Sequence, residues 1–259
     1  VLVRMGGMRG IINFAGATAR GDEAARRQMF WYFQSVFGGN PDMPFATAPF
    51  GAMSGGTRVL EEGVNSADPT GIMTIVEVPG LIHQLNPLVR TAGHAPRTAE
   101  TLGYEGDHSS FSLAEDADST TIANPDIHFL WLVQKNASDT SGWDGDVQLY
   151  LDAMELVRDS GEGEAAQFVW SGGGVTANEI EGALERGIPL FLPRGSGRIV
   201  DGTINALEGK WNHVTENRER IEQMLSNPKI ESNLDCITVE ESTQPRRAQV
   251  WLEEHNFAA

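Results

Sequence analysis

The chain has 259 residues, is 40% hydrophobic, and carries 36 acidic against 19 basic side chains, a formal net charge of -17. That length and apolar content suffice for a full core, in one large domain or two fused halves, while the charge opposes any broad electrostatic grip on DNA, RNA or an anionic membrane surface, so an anionic ligand must be held by a local site. The single cysteine, Cys236, excludes an intrachain disulfide framework and a multi-cysteine zinc cluster, and it suits a reducing cytoplasm.

No apolar stretch approaches the roughly 20 residues needed to cross a bilayer, so no direct membrane insertion is expected. The opening VLVRMGGMRG has no signal-peptide core, and a start at Val rather than Met is expected of a fragment or a processed chain. Residues 10–15 (GIINFA) predict a first strand, followed by Gly16 and a helix over 22–37 with Gly21 or Asp22 near its cap. Phe30, Trp31, Tyr32 and Phe33 spread round that helix and predict core or subunit interface rather than a stacking platform. A second apolar run, 45–53, ends at the turn Ser54-Gly55-Gly56-Thr57, and residues 71–78 (GIMTIVEV) predict a helix. The Gly-, Pro-, His-, Asp- and Ser-rich stretch 79–125 predicts connecting segments containing one short strand. Residues 128–134 (HFLWLVQ) predict a buried strand, and 144–159 a helix with Leu149, Leu151, Met154 and Val157 inward.

The segment 168–201, FVWSGGGVTANEIEGALERGIPLFLPRGSGRIVD, is the most informative. It reads as strand, glycine turn, helix, strand, glycine turn, helix, the way a parallel sheet builds a phosphate-binding edge. Val169 and Trp170 end an apolar run, and Gly172, Gly173 and Gly174 allow a tight turn. Thr176 can cap a helix whose Ile180, Ala183 and Leu184 recur at helical spacing. Residues 189–192 form a second buried strand, closed by Gly195, Ser196 and Gly197. A helix over 199–207 then directs its free N–H groups at whatever sits above the strand ends. Beyond Trp211 the pattern predicts a helix to Leu225, a strand over 236–239 that includes Cys236, and a final helix over 246–255.

At these residues the sequence resembles the SLOG superfamily, and within it the prokaryotic relatives of the nucleotide-sensing N-terminal domain of melastatin-type TRP channels. The resemblance rests on Ser54-Gly55-Gly56-Thr57, Gly71-Ile72-Met73, the strand 129–133, the turn 171–176, and Gly195-Ser196-Gly197-Arg198 with Asp201, and it covers roughly residues 8–208. It departs from the family where RVLEEGVNSADPT separates the GGT turn from Gly71, and where Gln134-Lys135-Asn136 replaces an acidic segment. It implies an α/β fold, an open Rossmann-like, mostly parallel sheet with helices on both faces. A nucleotide-binding domain over 1–208 would carry residues 209–259 as a helix-and-strand extension packed on it.

The function implied is a cytoplasmic receptor for an ADP-ribose-like or NAD-derived nucleotide. It needs no further cofactor, assembles as a homo-oligomer, and signals to an effector, as related proteins do in bacterial defence. Gly172, Gly173, Gly174 and Thr176 would shape one wall of its site, Gly195, Ser196, Gly197 and Arg198 the phosphate end, and Gly16, Gly55, Gly56 and Thr57 the opposing wall. A guanidinium can clasp a phosphate bidentately while helix N–H groups complete the cradle. Asp201 could cap its helix, hold Arg198, or accept from a ribose hydroxyl.

Two other readings stay open. Residues 171–179 (SGGGVTANE) follow the phosphoribohydrolase pattern PGGxGTxxE except at Ser171 and Val175, which would make Glu179 a carboxylate for N-glycosidic cleavage. Glu179 near a helix start is equally explained by the helix dipole, and the resemblance leans toward binding without turnover. The third reading is an oligomeric scaffold with no ligand, since glycines also serve close packing. The six histidines have no metal-ligand spacing. Glu115, Asp116 and Asp118 lack a calcium-loop pattern. Ser54 and Ser171 lack the glycine of a nucleophile elbow.

Overall fold

A computed structural model describes residues 10–16, 23–37, 50–54, 72–79, 129–133, 147–159 and 163–257. Seven strands, β1 (Gly10–Gly16), β2 (Phe50–Ser54), β3 (Ile72–Pro79), β4 (Phe129–Val133), β5 (Glu164–Trp170), β6 (Leu190–Arg194) and β7 (Ile237–Glu241), form one sheet in the order β4-β3-β2-β1-β5-β6-β7. Every neighbouring pair is parallel. The chain runs outward from β1 to β4, returns to pair β5 with β1, and runs outward again to β7. The strand order therefore reverses between β1 and β5, the position at which open α/β sheets bind ligands beyond their carboxyl ends.

The period-two alternation of the central strands sends apolar side chains to both faces. Ile11, Ala15, Ala165, Val169, Leu190 and Leu192 face one layer, made of α2 (Val147–Asp159), α3 (Gly174–Glu185), α4 (Arg198–Leu207) and α5 (Arg218–Leu225). Leu151 and Met154 are buried there, as their spacing predicts. Ile12, Phe14, Ala166, Phe168, Trp170 and Phe191 face the other layer, made of α1 (Glu23–Phe37) and a late helix that follows the short α6 (Pro228–Glu231), namely α7 (Pro245–Glu254). Tyr32 and Phe33 enter this core while Trp31 is 47% exposed. Gln249 of α7 donates to the carbonyls of Ser35 and Val36 at 3.1 and 3.2 Å, satisfying the end of α1.

Three expectations are corrected. Residues 72–79 form β3, not a helix: Ile72, Thr74, Ile75, Val76 and Val78 are β-branched, and the segment pairs with strands on both sides. The helix expected from Trp211 to Leu225 is a short 3-10 turn, Trp211–His213, and then α5, because Asn217 adopts φ +55 and restarts the chain. Cys236 ends a second 3-10 turn before β7 instead of lying in the strand; burial, then Asp235, pushes its thiol pKa up.

Gly16 is required by the sheet itself. Its φ is +144, and a Cβ there would lie 2.1 Å from the carbonyl oxygen of Trp170, its register partner. Gly16→Ala is expected to cost about 1–3 kcal/mol of stability from backbone strain, read as a lower denaturation midpoint at unchanged m-value.

Candidate functional site

Two strand-to-helix turns lie side by side at the carboxyl edge of β5 and β6. In the first, Ser171 and Gly172 take positive φ, +57 and +94, and α3 begins at Gly174 with Gly173 as its cap residue. A side chain at Gly172 would fall 2.3–2.5 Å from the Thr176 side chain. Thr176 therefore packs under the turn, inside the first helical turn, and does not cap the helix as its sequence position suggested. The first helical bond runs from Ala177 N–H to the Gly173 carbonyl at 2.9 Å. The N–H groups of Gly174, Val175 and Thr176 consequently point out of the helix end, where the dipole favours an anion.

In the second turn, Gly195, Gly197 and Arg198 all have positive φ, +84, +97 and +50. Such a φ at a non-glycine residue is strained by about 1–3 kcal/mol and is concentrated at functional sites. Asp201 reaches back from α4: its two carboxylate oxygens accept from Gly195 N–H at 2.7 Å and Gly197 N–H at 3.0 Å. Ser196 N–H donates to the Pro193 carbonyl at 3.1 Å. These three donors are used inside the turn, and Asp201 is the residue that organises it.

The guanidinium of Arg198 crosses to the first turn. Its Nη2 lies 3.3 Å from the point where a Cβ of Gly173 would stand, and its Nε is 3.4 Å from Glu216 Oε2. Gly173 is thus a close-approach glycine, and a cation sits over the amino end of α3. The turns are also fastened together: Ser171 N–H donates to Ser196 Oγ at 3.1 Å, and Ile199 N–H to the Gly172 carbonyl at 3.4 Å. Ser242, which accepts from Gln28 at 3.3 Å and donates its N–H to the Arg194 carbonyl at 2.9 Å, backs Gly195 from the far side. Neither Ser242 nor Gln28 was signalled by any motif.

Glu179 is buried in α3 and accepts from the Tyr150 hydroxyl of α2 at 2.6 Å. Burial pushes its pKa up to about 7, against hydrogen bonds from Tyr150 and Thr176 that pull it down. A carboxyl so placed is not a surface residue tuned to the helix dipole. Because the folded pKa is the raised one, the native state holds this proton at pH values where the unfolded chain, near 4.3, has lost it. Its stabilising contribution is complete below the unfolded pKa and is lost as pH rises through about 7. Glu179→Gln is expected to flatten the fall in stability between about pH 5 and 7, a slope of up to about 1.4 kcal/mol per unit. Denaturant melts across that range check it, and parallel profiles for parent and variant would count against it.

Of the residues singled out by sequence, the fold gathers Gly16, Gly172, Gly173, Gly174, Thr176, Gly195, Ser196, Gly197, Arg198 and Asp201 at adjoining strand ends, with Glu179 beneath them. Gly55, Gly56 and Thr57, and with them most of the opposing wall, lie outside the described residues, as do Glu115, Asp116 and Asp118. Among the described residues there is no group of three His, Cys, Asp or Glu placed to hold a metal ion. Nor is any of their helices long and apolar enough to cross a membrane.

No protein-family model matches the chain, and no curated protein does. Among solved structures it is similar to the X-ray structure of TM1055, a Northeast Structural Genomics Consortium target, at 14% identity and a TM-score of 0.46, over 95% of this chain and 99% of that one. The α/β assignment stands on the parallel strand order and the two helical layers.

Proposed function

We propose that this chain is a receptor for an ADP-ribose-like or NAD-derived nucleotide, bound beyond the carboxyl ends of β1, β5 and β6. One observation carries the reading: the Arg198 guanidinium lies across the amino end of α3 at Gly173. It thereby joins a cation to the outward N–H groups of Gly174, Val175 and Thr176. In a chain of net charge -17, that is a local device for holding phosphate. The resemblance to nucleotide-sensing domains of the SLOG superfamily supports the ligand class. It also supports a cytoplasmic setting, a homo-oligomer, and an effector that responds to occupancy by population shift.

Calorimetric titration with ADP-ribose, cyclic ADP-ribose isomers, NAD and AMP tests the reading. Saturable binding that weakens with salt is expected, and failure of all four ligands to bind rejects it. A second reading, a nucleotide phosphoribohydrolase, is favoured by one observation, the buried carboxyl of Glu179 hydrogen-bonded to Tyr150, where burial pushes its pKa up to about 7. Chromatography of the same mixtures for free base and ribose phosphate decides between them. Val175, standing where the hydrolase pattern has glycine, favours binding without turnover.

A further inference from the structure

Arg198 is already engaged before any ligand arrives. Its Nε and Nη2 form one of the two edges of the guanidinium that two oxygens of a phosphate can take in parallel. Nη2 faces Gly173, whereas Nε is held 3.4 Å from Glu216 Oε2. The carboxylate thus occupies half of this edge. Glu216 lies in the segment between the buried Val214 and Ile221, its carbonyl oxygen 3.8 Å from where a Cβ of Gly202 would stand. Both partners of the ion pair are solvent-exposed, 41% and 56%, the setting in which such pairs are weak and readily exchanged.

We infer that Glu216 is a built-in competitor for the anion at Arg198, an affinity-tempering residue that a phosphate taking this edge displaces. This rests on the receptor reading above. A bound phosphate, singly charged at each phosphorus of ADP-ribose and doubly charged in AMP, outcompetes the carboxylate because it takes both edge donors and the amino end of α3 together. A neutral ligand leaves the ion pair intact. The carboxylate accordingly tempers affinity for phosphorylated ligands while leaving that for neutral ones alone, and it bars anions too weakly charged to displace it.

Titration of the parent, Glu216→Gln and Arg198→Ala with ADP-ribose, AMP and adenosine tests this. Glu216→Gln is expected to bind ADP-ribose and AMP roughly two- to fivefold more tightly than the parent, the range released by losing an exposed ion pair. Adenosine affinity should not move, and the gain should shrink at high salt. A melting temperature equal to the parent's shows that folding is not the cause. Equal or weaker phosphate binding by Glu216→Gln, or an equal gain for adenosine, overturns the inference while the receptor reading stands on the loss in Arg198→Ala. Binding of none of these ligands by any of the proteins overturns both.

Discussion

Arg198→Ala is expected to weaken ADP-ribose binding by about 1.5–3 kcal/mol, the worth of a hydrogen bond to a charged group, or roughly 10- to 150-fold in Kd. The loss has two parts. The guanidinium itself goes, and Glu216, no longer neutralised, is left to repel the incoming phosphate. Arg198→Lys should recover only part of the affinity, because an ammonium keeps the charge and loses the flat pair of donors. Stability should change little, since the ion pair it gives up is solvent-exposed. Calorimetry at one fixed salt concentration reads the result, and a Kd equal to the parent's removes Arg198 from the site.

The largest effect on the fold is expected at Phe168. Its ring stacks on Phe191 at a centroid distance of 4.8 Å and meets Trp251 edge-on at 5.2 Å, with Phe14 and Phe33 each at 6.0 Å. It is fully buried and joins side chains from β1, β6, α1 and α7. Phe168→Ala should cost about 3–5 kcal/mol, a large part of the 5–15 kcal/mol that holds a typical domain. Because Phe168 lies two residues from the end of β5, loss of ligand binding should follow loss of structure and be restored at lower temperature. A measured cost under about 1 kcal/mol would mean that this ring does not hold the aromatic cluster of that face together.

The order of strand, glycine turn and helix over residues 168–207 was legible because each boundary is marked locally: an apolar run, a cluster of glycines, then helical spacing. β3 was not legible for the opposite reason. In GIMTIVEV, Ile72 and Val76 fall four apart and Met73 beside them, which fits a helical face as well as it fits a short strand. Only pairing with β2 and β4 decides it. At the site, glycines and Arg198 carried a local signal, but their partners did not. Tyr150 meets Glu179 across 29 positions, Glu216 meets Arg198 across 18, and Ser242 backs Gly195 from the end of another strand. The sequence allows Asp201 several roles, yet that its oxygens take the turn amides follows only from the left-handed backbone of Gly195 and Gly197.

Since Ser171 N–H rests on the Ser196 hydroxyl and Ile199 N–H on the Gly172 carbonyl, the loops after β5 and β6 behave as one mechanical piece. Inserting or deleting a residue in either would carry the other off its mark and swing the arginine away. Grafting a new ligand preference onto this edge therefore means exchanging both loops together, and libraries that vary one alone will mostly sample misaligned pairs.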